Sequence, residues 1–339
     1  MKKRKIHPIV KIFFASALLV GIVLIVILIM GYRYMTFDGG KFIGKIKNNA
    51  PYQGIVKYSN GITADLSEGY RLTFKNGDVY EGELKNIIRD GKGKMTFIAS
   101  GAVYEGTFSN NEMTGKGVLS YKNGDSYEGD FVNGKKEGKG VEKIKDKIIY
   151  TGEFANDMYN GYGVLEFLAG SEPEPDPEPV TPSTTEEDIT QTTKTYNFGD
   201  PDSSDPEDTE PTETEAEKSS FTPYHEGSYE VVGKYEGYFK DGAQHGEGKQ
   251  FFSNGDSYEG DYVHGRRTGR GKYTWSTGEV YEGGFFNDLL DTRLTDENGL
   301  LVKDANGKTS HGDKAVYTHD DGTVFTGFFE AGKQVTVDE

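Results

Sequence analysis

Residues 125–144 read DSYEGDFVNGKKEGKGVEKI, and this stretch decides the fold. Tyr127, Gly129 and Phe131 alternate with polar residues, the spacing that places side chains on one face of a β-strand. Asn133 and Gly134 follow, and both residue types adopt the left-handed backbone of a tight turn at low cost. Residues 138–144 then alternate again. The stretch therefore predicts a β-hairpin.

The same pattern recurs along the chain. Tyr-Glu-Gly triplets or close variants return at intervals of mostly 23 or 24 residues, and Phe42-Ile43-Gly44 opens the series. Because an isolated hairpin is marginal in water, we expect the hairpins to stack edge to edge. The positions to which we assign this structural role are Tyr80, Gly82, Tyr104, Gly106, Tyr127, Gly129, Tyr150, Gly152, Tyr235, Gly237, Tyr258, Gly260, Tyr281, Gly283, Phe325 and Gly327.

The amino-acid composition agrees with a fold of stacked hairpins. The 339 residues include 46 glycines and 13% aromatic residues, and disordered chains lack such an aromatic content. Glycines on the aromatic face of each strand would leave grooves in which rings can lie flat. The Glu and Asp residues at alternate positions would then form the solvated face.

The repeat resembles a known family. Tyr-Glu-Gly-x-Phe/Tyr, x-Gly-x-Gly and Asn-Gly-Asp on a 23-residue period are similar to the MORN (membrane occupation and recognition nexus) repeat over about residues 40–168 and 226–330. The resemblance implies an all-β fold, an elongated, curved, single-layer antiparallel sheet of stacked hairpins. The Trp common after Tyr-Glu-Gly in the family is replaced by Leu84, Phe108, Phe131, Phe154, Phe239, Tyr262 and Phe285.

Two intervals depart from the period. Asn60 and Asn76 stand only 16 residues apart, and the 44 residues from Tyr281 to Phe325 exceed one period by about 21. We expect looser stacking near both places.

The N-terminal segment differs from the rest. Residues 1–33 carry six basic residues and no acid, and residues 12–30 carry no charge. About 20 apolar residues span a bilayer, so we predict a transmembrane signal anchor over residues 12–32, behind a basic cytoplasmic tail at residues 1–11. The alternative is a cleaved signal peptide, whose apolar region is usually about 7–15 residues. The repeats would then lie outside a single-pass cell membrane, and the lack of any Asn-x-Ser/Thr acceptor favours a bacterial one.

A polar segment divides the repeats into two blocks, residues 40–170 and 223–335. Residues 171–222 hold eight of the 11 prolines and a net charge of −14, so we predict disorder. Two arrangements remain open from the sequence. The segment is either a long loop from one continuous sheet or a linker between two sheets.

Little in the sequence points to chemistry. The absence of Cys excludes thiolate sites, and His245, His264 and His311 occupy turn positions of the repeat. Residues 296–299 and 304–307 are acidic loops that lack the EF-hand spacing. We expect no catalytic, cofactor-binding or metal-ligating residue, and the net charge of −9 on the repeats disfavours nucleic acid.

These observations predict a function of interaction rather than catalysis. We expect a non-enzymatic, membrane-anchored module that acts as an extracytoplasmic scaffold for an unknown protein. The resemblance to MORN proteins implies phospholipid binding, protein association or a homodimer. The alternative is a surface protein that binds cell-wall glycan or phospholipid.

Overall fold

The computed structural model describes residues 8–169 and 231–337, with side chains from residue 13 onward. Apart from helix α1 (Pro8–Ile29), the described regular elements are β-strands in antiparallel hairpins, which confirms the all-β prediction. The fold divides into two compact units, Met1–Lys136 and Glu137–Glu339.

The first unit is an open antiparallel sheet. Each of its strands pairs with the next one along the chain. The strands are β1 (Tyr32–Phe37), β2 (Gly40–Lys47), β3 (Ala50–Tyr58), β4 (Thr63–Ser67), β5 (Arg71–Phe74), β6 (Val79–Lys85), β7 (Ile88–Phe97), β8 (Ala102–Ser109), β9 (Glu112–Ser120) and β10 (Ser126–Val132).

The second unit repeats this plan. Its strands are β11 (Lys135–Ile144), which begins at the unit border, β12 (Ile148–Ala155), β13 (Met158–Leu168), β14 (Val231–Lys240), β15 (Ala243–Phe251), β16 (Ser257–Val263), β17 (Arg266–Thr274), β18 (Val280–Phe286), β19 (Leu289–Leu290), β20 (Ala315–Thr318), β21 (Val324–Glu330) and β22 (Lys333–Val335). Strand β18 pairs with both β19 and β20, so residues 291–314 leave the sheet and return to it.

The two repeat blocks are joined by direct strand pairing. Strand β13 lies against β14, with Leu165 opposite Tyr235 and Gly163 opposite Gly237. The strands on either side of the polar segment are therefore neighbours in one sheet, which selects the first of the two arrangements left open by the sequence. Residues 171–222, and with them the prediction of disorder, lie outside the described residues.

The expectation of looser stacking is wrong at both irregular intervals. In the short unit, Leu66 and Leu72 are buried and continue the register from Gly54 to Tyr80. At the long interval, Tyr281 pairs directly with Tyr317 across β18 and β20. The extra residues are accommodated outside the sheet, so they do not interrupt its hydrogen bonds.

The predicted signal anchor over residues 12–32 is not supported. Within the part of the chain that the structure describes, no helix has both the length and the apolar character needed to cross a membrane. Helix α1 ends at Ile29, and Tyr32 already belongs to β1. Of the predicted tail at residues 1–11, the structure describes residues 8–11 only.

Residues 125–144 contain the two strands and the turn that the sequence predicts. Strands β10 and β11 flank a turn at Asn133 and Gly134, whose φ angles are 49° and 82°. Both values lie in the left-handed region that these residue types tolerate best.

Candidate functional surface

Glycines form a continuous row across the strands of each unit. In the first unit Gly82, Gly93, Gly106, Gly117 and Gly129 are successive cross-strand partners. The row of the second unit consists of Gly140, Gly152, Gly163, Gly237, Gly248, Gly260, Gly271 and Gly283. These two rows contain all the predicted repeat glycines except Gly327, which pairs with Ala315.

Each repeat tyrosine lies across this row. A Cβ atom on Gly163 would stand 2.5 Å from Oη and 2.6 Å from Cε2 of Tyr150, well inside van der Waals contact. The side chains of Tyr80, Tyr104, Tyr127, Tyr150, Tyr235, Tyr258 and Tyr281 are completely buried. The glycines are therefore a steric requirement of the rings, as the sequence predicted.

The tyrosine hydroxyls have a partner that the sequence did not reveal. In all seven repeats the hydroxyl donates to the backbone carbonyl three residues later, at 2.7–3.0 Å. For Tyr150 that carbonyl belongs to Glu153, where a β-bulge shifts the register between Gly152 and Phe154. A bulge interrupts the backbone hydrogen bonds between the two strands. The tyrosine hydroxyl therefore supplies a hydrogen bond to a backbone carbonyl at that interruption.

The rings pack edge to face along each unit. Tyr104 meets Phe108 of its own repeat at 5.2 Å and Phe131 of the next repeat at 5.0 Å, with interplanar angles of 89° and 82°. Tyr235 makes the same two contacts with Phe239 and Tyr262. Five of the aromatic residues that replace the family's Trp link two consecutive repeats in this way: Phe108, Phe131, Phe239, Tyr262 and Phe285.

Burial keeps these hydroxyls protonated. It raises the pKa of the Tyr80 and Tyr104 hydroxyls to about 12. Burial also raises the pKa of Tyr150, Tyr235 and Tyr281. The hydroxyls are consequently neutral hydrogen-bond donors at neutral pH, a structural role rather than a catalytic one.

The series closes with phenylalanines at its two ends. Phe42 is completely buried against Gly44 and Gly54, in the place of a repeat tyrosine. Phe325 is only half-buried, lies against Gly327 and meets Phe329 at 5.8 Å. Neither ring carries a hydroxyl, so the bond to the backbone is confined to the tyrosine repeats.

The role of the residue nine positions after each tyrosine could not be predicted from the sequence. Arg89, Lys136 and Arg267 place their cations 5.9, 5.2 and 5.7 Å from the rings of Tyr80, Tyr127 and Tyr258, within cation–π range. In the remaining repeats this position holds Met113, Tyr159, Gln244 and Leu290. Tyr159 stacks on Tyr150 at 3.8 Å. The sequence does place a long side chain at this position in every repeat. Because the residue type differs from one repeat to the next, the position does not stand out as a motif.

The opposite face of the sheet carries ordered charges. Lys94 lies between Glu81 and Glu105 in the register, and its Nζ is 2.5 Å from Oε1 of Glu105. In the second unit Lys272 lies between Glu259 and Glu282 and bonds the latter at 2.6 Å. We call this set the charged ladder; it comprises Glu81, Lys94 and Glu105 in the first unit and Glu236, Lys249, Glu259, Lys272 and Glu282 in the second. Its side chains are about half exposed, so it is the surface that the repeats present to solvent.

The segment at residues 291–314 is held by a buried polar cluster. Asp291 is fully buried, binds Arg293 through both carboxylate oxygens and accepts the backbone N–H of Ala331 at 3.0 Å. His311 bridges Thr292 at 2.7 Å and Glu330 at 2.9 Å. The assignment of His311 to a turn is therefore wrong, because it links this segment to the last hairpin.

The contacts of His311 with Thr292 and Glu330 do not make the hydroxyl of Thr292 a nucleophile. Thr292 Oγ1 also accepts the backbone N–H of Phe329 at 3.0 Å and lies 3.1 Å from the carbonyl oxygen of the same residue, and its residue is 3% exposed. With these backbone bonds and almost no access from solvent, the hydroxyl holds two chain segments together.

His245 lies within strand β15, so its assignment to a turn is also wrong. The remaining polar residues singled out in the sequence lie in turns. His264 has a φ of 51° at the turn before β17. Asp296 Oδ1 accepts the N–H groups of Asn298 and Leu300, both at 2.9 Å, and Asp304 Oδ1 accepts two N–H groups in the same way. These carboxylates stabilise tight turns.

The regular period and the buried tyrosines agree with the match of the chain to a model of a repeat family. The sequence model of the MORN repeat matches residues 80–99, 104–126, 127–147, 150–171, 235–257 and 258–280. These six segments are MORN repeats. Every MORN repeat matched here begins at a buried tyrosine of the row, and the match does not extend to the hairpins that begin at Tyr281 and Phe325.

Other comparisons add little. Among solved structures, the chain is similar to the TCP domain of SAS-4 (dCPAP) of Drosophila melanogaster in complex with a proline-rich motif of Ana2 (dSTIL), at 19% identity over 40% of this chain and 77% of that one, with a TM-score of 0.22. It is similar to the wild-type TCP10 domain of Danio rerio CPAP at 12% identity over 76% and 99%, with a TM-score of 0.23. At these TM-scores neither likeness bears on function. No curated protein matches the chain. A membrane anchor and a bacterial origin gain no support from these comparisons.

Proposed function

We propose that this chain is a non-enzymatic scaffold whose MORN repeats present the charged ladder to a protein partner. The observation that carries the proposal is the complete burial of the seven repeat tyrosines, each with its hydroxyl bonded to its own strand. Since the aromatic face is used for packing, the ladder is the surface of the repeats that remains available for recognition.

The ladder has properties that suit recognition by a protein. Neighbouring strands stand about 4.8 Å apart, so Glu and Lys side chains recur at a fixed pitch within each unit. Packed rings and glycines on the other face hold the strands in register, so little order is lost on binding. Complementary charges on a partner would give specificity and fast association more than raw affinity.

Glycan binding at the repeats is less well supported. Sugars stack on exposed aromatic faces, whereas Trp275 is 5% exposed and the repeat tyrosines are not exposed at all. A protein partner is therefore the function that the geometry favours, and a homodimer is one form that it could take.

The test is photo-crosslinking of the full chain in its own cells. A benzoylphenylalanine at Val118, which faces outward between Glu105 and Glu128, should yield one recurrent protein adduct. The exchange Lys94→Glu with Glu105→Lys keeps the ion pair but inverts the pattern, and it should abolish that adduct. The matched control places the crosslinker at Val302, an equally exposed residue outside the sheet.

Two results would overturn the scaffold proposal. One is the same set of adducts from Val118 and Val302, which would mean that the ladder has no specific partner. The other is hydrolytic or transferase turnover by the purified chain.

We also propose, on the sequence alone, that the N-terminal segment tethers the repeats outside the cell. The support is the basic tail followed by the uncharged residues 12–30. Protease added to intact cells should then digest the repeats while antibodies still detect a protected N-terminus. Protection of the repeats would refute the location and would leave the scaffold proposal standing.

A further inference from the structure

The charged ladder of the second unit begins only at β14, and the same row is uncharged on the three strands before it. Val141, Thr151 and Val164 are successive cross-strand partners, and Val164 pairs in turn with Glu236 of the ladder. These three residues therefore lie on the outward face of β11, β12 and β13, the face that is solvated along the ladder.

Two of the three residues are buried although they lie on the solvated face. The exposed fractions of Thr151 and Val164 are 8% and 2%, whereas Val316, which pairs with the ladder on β20, is 37% exposed. Ile149 and Glu166, a cross-strand pair beside this row, are each 4% exposed. An uncharged residue in this row is thus not buried by the sheet alone. Because neighbouring strands meet edge to edge, a further segment must lie over the outward face of β12 and β13.

The hairpin of β11 and β12 carries a local surplus of positive charge. Residues 135–147 contain six lysines and three acidic residues, whereas the full chain has a net charge of −17. Lys139 and Lys143 lie on the outward face of β11, on either side of Val141. The covered face is therefore bordered by cations, which suits an acidic occupant.

The polar segment, residues 171–222, leaves and rejoins the sheet beside this face. Leu168 and Val231 are cross-strand partners, so the chain departs from β13 and returns to β14 at one place. Val164 comes four residues before Leu168, about 13 Å along the strand. The net charge of the polar segment is −14, opposite in sign to that of residues 135–147.

We propose that the outward face of β11–β13 is the docking site of the polar segment of the same chain. Acidic side chains of the segment meet Lys139 and Lys143, and apolar ones lie over Thr151 and Val164. The apolar side chains that the segment offers include Ile189, Tyr196, Phe198 and Phe221. Since both ends of the segment are attached beside the face, its effective concentration there is on the order of 1 mM, so a weak contact is sufficient.

Other occupants fit the burial less well. Thr151 and Val164 are buried within a single chain, so neither a partner protein nor a second copy is needed to cover them. An acidic partner would satisfy the lysines alone. The polar segment satisfies the lysines and the burial together.

This intramolecular docking goes beyond the proposed scaffold function and does not depend on it. The docked segment would cover the strands that precede Glu236 and would leave the ladder from Glu236 to Glu282 open. Recognition by the second unit would then be confined to the charged part of its outward face.

The first test uses the absence of cysteine from the full chain. Thr151→Cys places a thiol beneath the docked segment, and Val316→Cys is the matched control in the same row. The rate at which each thiol reacts with a maleimide is measured on the purified full chain. We expect position 151 to react about tenfold more slowly than position 316, as an undocked population of about 10% would give. This ratio should not depend on protein concentration.

A second set of variants removes the apolar side chains of the segment and keeps its length and charge. Four substitutions together should raise the rate at position 151 towards that at position 316: Ile189→Ser, Tyr196→Ser, Phe198→Ser and Phe221→Ser. The matched control changes four polar residues of the same segment and should leave the rate unchanged: Thr190→Ser, Thr192→Ser, Thr193→Ser and Thr195→Ser. Circular dichroism should show the same β-sheet signal in all variants.

Photo-crosslinking then locates the occupant. Benzoylphenylalanine at Val141 should form adducts within the chain that map to residues 171–222, and at Val316 it should not. Equal thiol rates at positions 151 and 316, no release by the four apolar substitutions, or adducts that map elsewhere would overturn the proposal. Protection that appears only at high protein concentration would do the same and indicate a second copy. Protection that appears only in a cell lysate would also overturn it and indicate a partner protein.

Discussion

Gly163→Ala should destabilise the second unit strongly, although it adds one methyl group. The three atoms closest to the new Cβ all belong to the ring of Tyr150, at 2.5, 2.6 and 2.7 Å, and the backbone of Gly163 is not in the left-handed region. Carbon atoms in good contact lie about 3.5–4.0 Å apart, so the ring must move by about 1 Å. The effect is therefore one of packing and not of backbone strain.

The ring of Tyr150 has little room to move. Phe154 and Phe239 lie against it edge to face at 5.2 and 5.1 Å, Tyr159 stacks on it, and its hydroxyl is 2.9 Å from the carbonyl oxygen of Glu153. Overpacking costs about 1–3 kcal/mol and loss of a buried hydrogen bond about 1–3 kcal/mol. We expect the free energy of unfolding to fall by about 4 kcal/mol.

Urea denaturation of the full chain, followed by circular dichroism and tyrosine fluorescence, measures this loss. Gly233→Ala is the matched control in the neighbouring strand β14, because its Cβ would meet only one atom tightly, the carbonyl oxygen of Phe251 at 3.2 Å. We expect the control to cost less than about 1 kcal/mol.

A double-mutant cycle tests the cause. In a Tyr150→Leu background the ring is gone, so Gly163→Ala should cost less than about 1 kcal/mol more, a coupling of about 3 kcal/mol. Equal denaturation midpoints for Gly163→Ala and Gly233→Ala would refute the steric reasoning. So would a cost of Gly163→Ala that is the same with Tyr150 and with Leu at that position.

Three further predictions follow from the same contacts. Tyr150→Phe should lower the free energy of unfolding by about 1 kcal/mol through loss of the bond to Glu153, whereas Tyr70→Phe, at an exposed hydroxyl, should change it by less than about 0.5 kcal/mol in the same urea titration. Burial raises the pKa of Tyr80 and Tyr104 from 10.0 to about 12, so their contribution to stability is complete below pH 10 and is lost as the pH rises towards 12. The difference in ultraviolet absorbance between the chain and Tyr80→Phe isolates the tyrosinate of Tyr80; it should form together with loss of the β-sheet signal, and its formation in a folded chain would contradict the burial. Asp291→Asn should cost about 1.5–3 kcal/mol because the buried Asp291 loses its charge-assisted hydrogen bonds to the partly exposed guanidinium of Arg293, while Asp296→Asn, at an exposed turn, should be near neutral; equal urea midpoints would count against the cluster.

The hairpin and its inward face could be predicted because both are local properties of the sequence. Alternation at Tyr127, Gly129 and Phe131 specifies one face, and Asn133-Gly134 specifies the turn between the strands. Recurrence at a fixed period then extends one hairpin to many, and this periodicity also identified the MORN repeat.

What could not be predicted depends on contacts between distant residues. The repeat pattern predicts a turn at His311, yet its partners Thr292 and Glu330 each lie 19 residues away. The cation over the ring of Tyr258 comes from Arg267, at a position that other repeats fill with Met, Gln or Leu. Composition also does not encode which strands pair, so the neighbourhood of β13 and β14 had to be observed.

The pairing of β13 with β14 has a consequence for how such chains can change. Leu168 and Val231 are cross-strand partners, so the 62 residues between them begin and end at one hairpin junction. Closing so long a connection costs only about 2 kcal/mol more than closing a turn of four residues. A long connection can be accommodated in the same way at any junction between stacked hairpins, because the backbone hydrogen bonds between the flanking strands do not depend on the residues that join them. A sheet of this kind can acquire or lose whole segments between repeats without redesign of its core.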